Sequence, residues 1–95
     1  MSEVGKLEGG EALNEDDLIQ LGLLEGLRNY RVVYEAKNYI VNASRNGDRF
    51  SLKYAEMFGE ERTMAVDCDM KTGQLSNLVN CTASDVSAFV NGVSV

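Results

Sequence analysis

The dipeptide Asn46-Gly47 constrains the fold of this 95-residue chain more than any other feature of its sequence. Alternating apolar residues flank it on both sides, and Asn-Gly in that setting favours a two-residue type I′ turn in a β-hairpin. Such a turn places Arg45 opposite Asp48. The apolar pairs that follow lie on one face of the hairpin: Ala43 with Phe50, Val41 with Leu52, and Tyr39 with Tyr54. The pattern predicts an antiparallel sheet with one buried face.

The parity of the apolar residues changes upstream of Tyr39. The apolar positions there are Tyr30, Val32, Tyr34 and Ala36. A β-bulge at residues 37–38 restores a single buried face, and we favour it. The alternative is an unbulged strand in which Lys37 forms an ion pair with Glu56.

Two further turns extend the predicted sheet to four strands. Residues 59–61 and 71–73 carry turn-forming residues, and alternating strand patterns follow each of them. The first of these turns pairs Lys53 with Asp67 on the polar face. The register of the last strand is ambiguous by one residue, so the sequence leaves open whether Leu75 or Leu78 is buried.

Helical patterns flank the strands. Asn14 is a predicted N-cap, and the carboxylates that follow it suit the first turn of a helix. The i, i+4, i+8 series Ile19, Leu23, Leu27 predicts a helix of roughly 12–14 residues with a broad buried apolar face. Leu24 lies beside that series, and Leu18 and Leu21 widen the apolar face. Thr82 caps a short second helix, whose apolar stripe is Val86, Phe89 and Val90. The predicted fold is α+β: an N-terminal helix, a four-stranded antiparallel meander and a short C-terminal helix, with both helices on one face.

The negative charge of the chain is concentrated near its N-terminus. The net charge is −6, and residues 1–17 contain six carboxylates against one lysine. Residues 28–53 contain six basic and two acidic residues. We predict a single domain over residues 14–95, preceded by a flexible acidic segment rich in Gly and Glu over residues 1–13. That segment is either a solvated tail or an element that binds a basic partner or the basic stretch 28–53.

Residue types that carry catalysis or bind metals are scarce. The chain has no histidine and two cysteines, which excludes Ser-His and Cys-His catalysis and four-ligand zinc sites. Cys68 and Cys81 fall too far apart in the predicted sheet for a disulfide, so we expect free thiols. The Asp67-Cys68-Asp69 segment lacks the later ligands of a calcium loop. We therefore predict a protein that is not an enzyme and holds no cofactor.

No apolar run approaches the roughly 20 residues of a membrane helix. Early charged and glycine residues also argue against a signal peptide. We expect a cytoplasmic protein with no membrane partner.

We favour a small non-catalytic interaction module that binds another protein, or itself as a homodimer. The predicted contact is a sheet edge such as 30–36, the polar sheet face or the acidic N-terminus. The candidate residues of this surface are Glu11, Glu15, Asp16, Asp17, Arg31, Arg45, Arg49 and Lys53.

Two alternatives remain open. The first is a small-ligand-binding domain with a pocket between helix and sheet, where Tyr34, Tyr39 and Tyr54 supply hydroxyls. The second is a protein that binds or mimics nucleic acid. We do not expect nucleic acid, because the polar sheet face carries no aromatic residue and the chain is acidic.

Overall fold

The computed structural model describes residues 11–57 and 62–93. Within them the five strands form one antiparallel sheet in the order β1-β2-β3-β4-β5, and the helices pack on its apolar face. The elements are α1 (Glu15–Gly22), β1 (Tyr30–Tyr34), β2 (Lys37–Asn46), β3 (Arg49–Glu56), β4 (Arg62–Asp69), β5 (Leu75–Val79) and α2 (Ala83–Gly92). The predicted two-layer α+β fold is confirmed, with five strands instead of four.

The additional strand arises at the parity change, where the predicted bulge is wrong. Glu35 and Ala36 have φ of 54° and 63° and form a two-residue turn that pairs Tyr34 with Lys37. Positive φ at both central positions is the type I′ pattern. The left-handed conformation costs an L-residue about 1–2 kcal/mol, so Glu-Ala gave no turn signal. The ion pair between Lys37 and Glu56, which we predicted for an unbulged strand, is present: Lys37 Nζ lies 3.3 Å from Glu56 Oε2.

The central hairpin keeps the predicted faces but not the predicted partners. Its loop is Gly47-Asp48, flanked by the pair Asn46 and Arg49, so the pairing of Arg45 with Asp48 is wrong. Positive φ at Gly47 alone, 65°, fits a turn with glycine in the first central position. Each residue of β2 pairs with the β3 residue two positions beyond its predicted partner. Because side chains alternate with a period of two, the same residues are buried.

The next two strand pairs also differ from the predicted register. Ser51 lies opposite Asp67, whereas Lys53 lies opposite Ala65, so the predicted pair of Lys53 and Asp67 is wrong. The pairing of β4 with β5 shifts between Ala65 and Asp67. This irregularity settles the open question in the last strand, since Leu75 is buried and Leu78 is half-buried.

Helix α1 is shorter than predicted and presents a different face. Asn14 is its N-cap, as predicted, and its Oδ1 accepts a hydrogen bond of 2.8 Å from the Asp17 amide. The helix ends at Gly22 and buries Asp17 and Leu21, whereas Ile19 and Leu23 are 58% and 62% exposed. The predicted burial of Ile19 and Leu23 is therefore wrong. Asp17 Oδ1 accepts a 2.7 Å hydrogen bond from Asn91 of α2, which turns the Asp17 side of the helix inward.

Helix α2 follows the prediction closely. Thr82 and Asp85 form a reciprocal capping box, with hydrogen bonds of 3.2 Å and 2.9 Å. Val86, Phe89 and Val90 are buried in the core. No helix among the described residues is long and apolar enough to cross a membrane.

Residues 11–13 are attached to the sheet. Leu13 is buried, and its amide donates a 2.8 Å hydrogen bond to the carbonyl of Gly73. The folded part of the chain therefore includes these three residues. Residues 1–10 of the predicted flexible segment lie outside the described residues.

Candidate interaction surface

The outer edge of β5 is covered along its first half. Residues 11–13 run beside it, with a 2.9 Å hydrogen bond from the Leu75 amide to the Glu11 carbonyl and a bridge between Ala12 and Gln74. The second half contains the irregularity at Asn77, where φ is 52°. Covering segments and bulges both prevent another strand from pairing. The β5 edge is thus protected.

Among residues 11–57 and 62–93, the outer edge of β1 has neither a covering segment nor a bulge. Within the described part of the chain, the backbone of residues 30–34 makes no hydrogen bond outside its ladder with β2. The pairing of β1 is regular, and the strand contains neither lysine nor proline. Four of its five residues, Tyr-Arg-Val-Val-Tyr, are aromatic or β-branched types that favour strands. Such an edge is a template for a further strand.

The turn geometry determines which backbone groups of β1 point outward. Tyr34 and Lys37 flank a two-residue turn, so they form a hydrogen-bonded pair. Hydrogen-bonded and non-hydrogen-bonded pairs alternate along an antiparallel ladder. Tyr30, Val32 and Tyr34 therefore bond to β2. The N–H and C=O groups of Arg31 and Val33 point away from the sheet.

Exposed apolar side chains flank this edge on both faces. Val33 is 64% exposed on the face that carries neither α1 nor α2, which we call the open face. Tyr30 is 42% exposed on the helix-covered face. The register assigns these faces, because Val32 is buried and its neighbours along the strand alternate. Within the described ranges, the β1 edge thus combines unpaired backbone groups with exposed apolar surface.

The open face of the sheet forms a shallow groove of about 430 Å³. Asp67 is held there by three neighbours: Ser51 at 3.0 Å, Asn77 at 2.8 Å and Arg49 at 3.5 Å. These contacts give Asp67 a structural role on β4. The groove is lined by Arg28, Asn42, Ser44, Ser51, Lys53 and Asn77 among others.

Three of the predicted surface residues share one face of the sheet. Arg31, Arg49 and Lys53 all lie on the open face, on β1 and β3. Arg45 lies on the opposite face, at the exposed end of β2, where its Nε donates a 2.8 Å hydrogen bond to the Gly47 carbonyl.

The acidic members of the predicted set belong to the helical layer. Glu11 is half-buried, and its Oε1 accepts a 2.7 Å hydrogen bond from the Ala83 amide at the start of α2. Asp17 is 7% exposed and bound to Asn91. Glu15 and Asp16 are exposed in the first turn of α1. The acidic and basic residues therefore do not form one continuous surface.

A second concave site lies between α2 and the sheet. It is a cavity of about 310 Å³ whose lining includes Tyr34, Tyr39, Tyr54 and Phe89. The rings of Tyr54 and Phe89 stack with centroids 3.8 Å apart. The three phenols are protonated at neutral pH, and burial raises the pKa of each above its ordinary value of 10.0. The rim carries charges of both signs, from Glu35, Lys37, Glu56, Arg62 and Asp85.

Both cysteines are free thiols, as predicted. Cys81 lines the same cavity, and its thiol donates a 3.6 Å hydrogen bond to the Ala65 carbonyl. Burial raises the pKa of this thiol. A raised pKa reduces the thiolate fraction at neutral pH, so Cys81 is not activated as a nucleophile.

The predicted residue set omitted Val33 and Tyr30, which the structure places at the unprotected edge. The parity change after Tyr34 was the available signal, because a hairpin there makes residues 30–34 a separate outer strand. Comparisons with protein-family models, curated proteins and solved structures gave no match to this chain. Function therefore has to follow from the geometry.

Proposed function

We propose that this protein is a non-catalytic interaction module that binds another polypeptide by β-strand addition at the outer edge of β1. The observation that supports this proposal is the absence, within the described residues, of any hydrogen bond from the backbone of residues 30–34 beyond the β2 ladder. In strand addition, main-chain hydrogen bonds provide the affinity and alternate side chains provide the specificity. Arg31 and Val33 supply the main-chain groups.

The side chains of the edge favour an apolar partner strand. Val33 and Tyr30 offer exposed apolar surface on the two faces, and Arg31 is the only charged residue of β1. Cross-strand pairs of β-branched and aromatic residues contribute about 0.2–1 kcal/mol each. A partner strand with β-branched residues on the open face therefore gains most at this edge.

Substitution of Val33 by lysine tests the proposal, because a charged side chain on an edge strand opposes strand addition. Val79→Lys is a matched control, since Val79 is 47% exposed on the open face of the opposite edge strand. Tagged full-length protein is used to capture partners from a lysate of its source cells. We expect the wild type and Val79→Lys to retain a partner that Val33→Lys loses, with circular dichroism unchanged in both variants. Equal capture by all three proteins contradicts the proposal.

The cavity beside α2 favours a second candidate function, small-ligand binding. Three protonated phenols and a stacked aromatic pair line it, an arrangement typical of sites for small organic molecules.

Ala88 offers a way to fill that cavity, because it is exposed on α2 and lines it. We expect some members of a set of small aromatic compounds to raise the melting temperature of the wild type and of Val33→Lys. Ala88→Phe should abolish the shift. Absence of any shift, or a shift that survives Ala88→Phe, argues against a ligand site here.

A further inference from the structure

We infer that the partner at the β1 edge is a second copy of this chain, paired antiparallel about a two-fold axis at Val32. This inference rests on the proposed function and names its partner. The two sheets would join through their β1 strands into one continuous sheet. The near-palindromic sequence of β1, its outward backbone groups and the covered edge of β5 support this pairing.

Strand β1 is nearly palindromic, reading Tyr-Arg-Val-Val-Tyr. Antiparallel pairing centred on Val32 places Tyr30 beside Tyr34 of the second copy, and Val32 beside its own counterpart. Arg31 then lies opposite Val33 of the second copy. Opposite residues in an antiparallel pair point to the same face, so the helix-covered and open faces of the two copies coincide.

The hydrogen-bonding pattern of the edge fits this register. Arg31 and Val33 are the two residues whose N–H and C=O groups point outward, as derived from the turn at residues 35–36. In the register centred on Val32, Arg31 of each copy lies opposite Val33 of the other copy, so this pair occurs once on either side of the axis. Every outward N–H and C=O group of these residues thereby gains a partner.

The neighbouring registers are less favourable. Pairing centred on Val33 moves Arg31 opposite Glu35, a turn residue with φ of 54° that does not continue the strand. Pairing centred on Arg31 places like charges directly opposite each other, which is destabilising. Shifting one strand by a single residue places a residue whose backbone groups point outward opposite one whose groups already bond to β2. Such a register cannot form the hydrogen-bonded ladder.

The side chains that are exposed in the single chain become covered in this pairing. The aliphatic stem of Arg31 packs over Val33 of the second copy, and Val33 is 64% exposed without it. Tyr30, 42% exposed, packs beside Tyr34 of the second copy. An interface of five residues per copy is small, so the dimer forms at high protein concentration and dissociates on dilution.

Cysteine cross-linking tests the register. The variants Arg31→Cys and Val33→Cys are made separately in a Cys81→Ser background, while Cys68 remains because it is buried. Directly opposite residues lie about 5.5 Å apart between Cα atoms, within reach of a disulfide. Residues diagonal to each other lie about 7–8 Å apart, which is too far. After mild oxidation we expect a disulfide dimer only when the two variants are mixed.

Each other cross-linking result overturns the proposed register. A dimer of Val33→Cys alone indicates pairing centred on Val33, and a dimer of Arg31→Cys alone indicates pairing centred on Arg31. Val79→Cys mixed with Val33→Cys is the control for random collision and should not cross-link.

Sedimentation equilibrium provides an independent measurement of the pairing. We expect Val33→Lys to raise the dimer dissociation constant roughly tenfold or more, because it adds a like charge beside Arg31 of the second copy. Val79→Lys should leave the constant unchanged. A mass of one chain at every concentration, together with no cross-linking, overturns the second copy as partner. The strand-addition proposal is judged separately, by the loss of a captured partner in Val33→Lys.

Discussion

Substitution of Gly73 by alanine should lower the free energy of unfolding by about 3 kcal/mol. Gly73 has φ of +84°, a conformation that costs an alanine about 1–2 kcal/mol. A Cβ atom there would also press against the carbonyl carbon and oxygen of Leu13. Because the Leu13 amide donates to the Gly73 carbonyl, the added methyl group displaces the segment that covers β5 and breaks this hydrogen bond.

Gly47 supplies the matched control. It also has positive φ, +65°, but a Cβ atom there would have no neighbour within 4 Å. Gly47→Ala should therefore cost only the free energy of the unfavourable backbone conformation, about 1–2 kcal/mol. Urea denaturation of both variants measures the difference, which isolates the contact with Leu13. Equal losses of stability in the two variants would show that this contact contributes nothing.

The Gly73→Ala substitution should also expose the outer edge of β5. Residues 11–13 cover the first half of β5, so their displacement exposes a second strand edge. Exposed edges promote strand pairing between molecules. We therefore expect the Gly73→Ala variant to self-associate more than the Gly47→Ala variant does.

The sheet was largely predictable because period-two alternation survives errors of register. Phe50, Leu52 and Tyr54 are buried although their partners differ from the predicted ones, since each shift was two positions. The turn at Glu35-Ala36 was not predictable, because neither residue is one that positive φ favours. Tertiary pairing of β1 with β2 holds that turn. Recognising residues 30–34 as a separate outer strand depended on it.

The buried face of α1 was ambiguous in the sequence. Two apolar stripes overlap there, one through Ile19 and Leu23 and one through Leu21 and Leu24. The choice between them depends on the contact of Asp17 with Asn91, which are 74 positions apart in the chain. Local patterns do not contain such long-range contacts. For the same reason the sequence did not indicate that Asp17, one of the candidate surface residues, is buried and bound to Asn91.

Alkaline pH should destabilise the fold, and Cys68 should contribute a large part of the effect. This thiol is 2% exposed, and burial raises its pKa from 9.0 to about 11. Between pH 9 and pH 11 the unfolded chain releases the Cys68 proton while the native chain keeps it. The unfolded state binds fewer protons there, so the free energy of unfolding falls as pH rises. A shift of this size corresponds to about 2–3 kcal/mol.

Urea denaturation between pH 7 and pH 11 measures this dependence, with Cys68→Val as the comparison. Valine keeps the site apolar and removes the titrating thiol, so its stability should decline less between pH 9 and pH 11. The decline that remains should begin near pH 9, because burial also raises the pKa of the Cys81 thiol above its ordinary value of 9.0. It should continue above pH 10, because burial raises the pKa of Tyr34, Tyr39 and Tyr54 above their ordinary value of 10.0. Identical pH profiles for the wild type and Cys68→Val would mean that the thiol ionises equally easily in the folded and unfolded states.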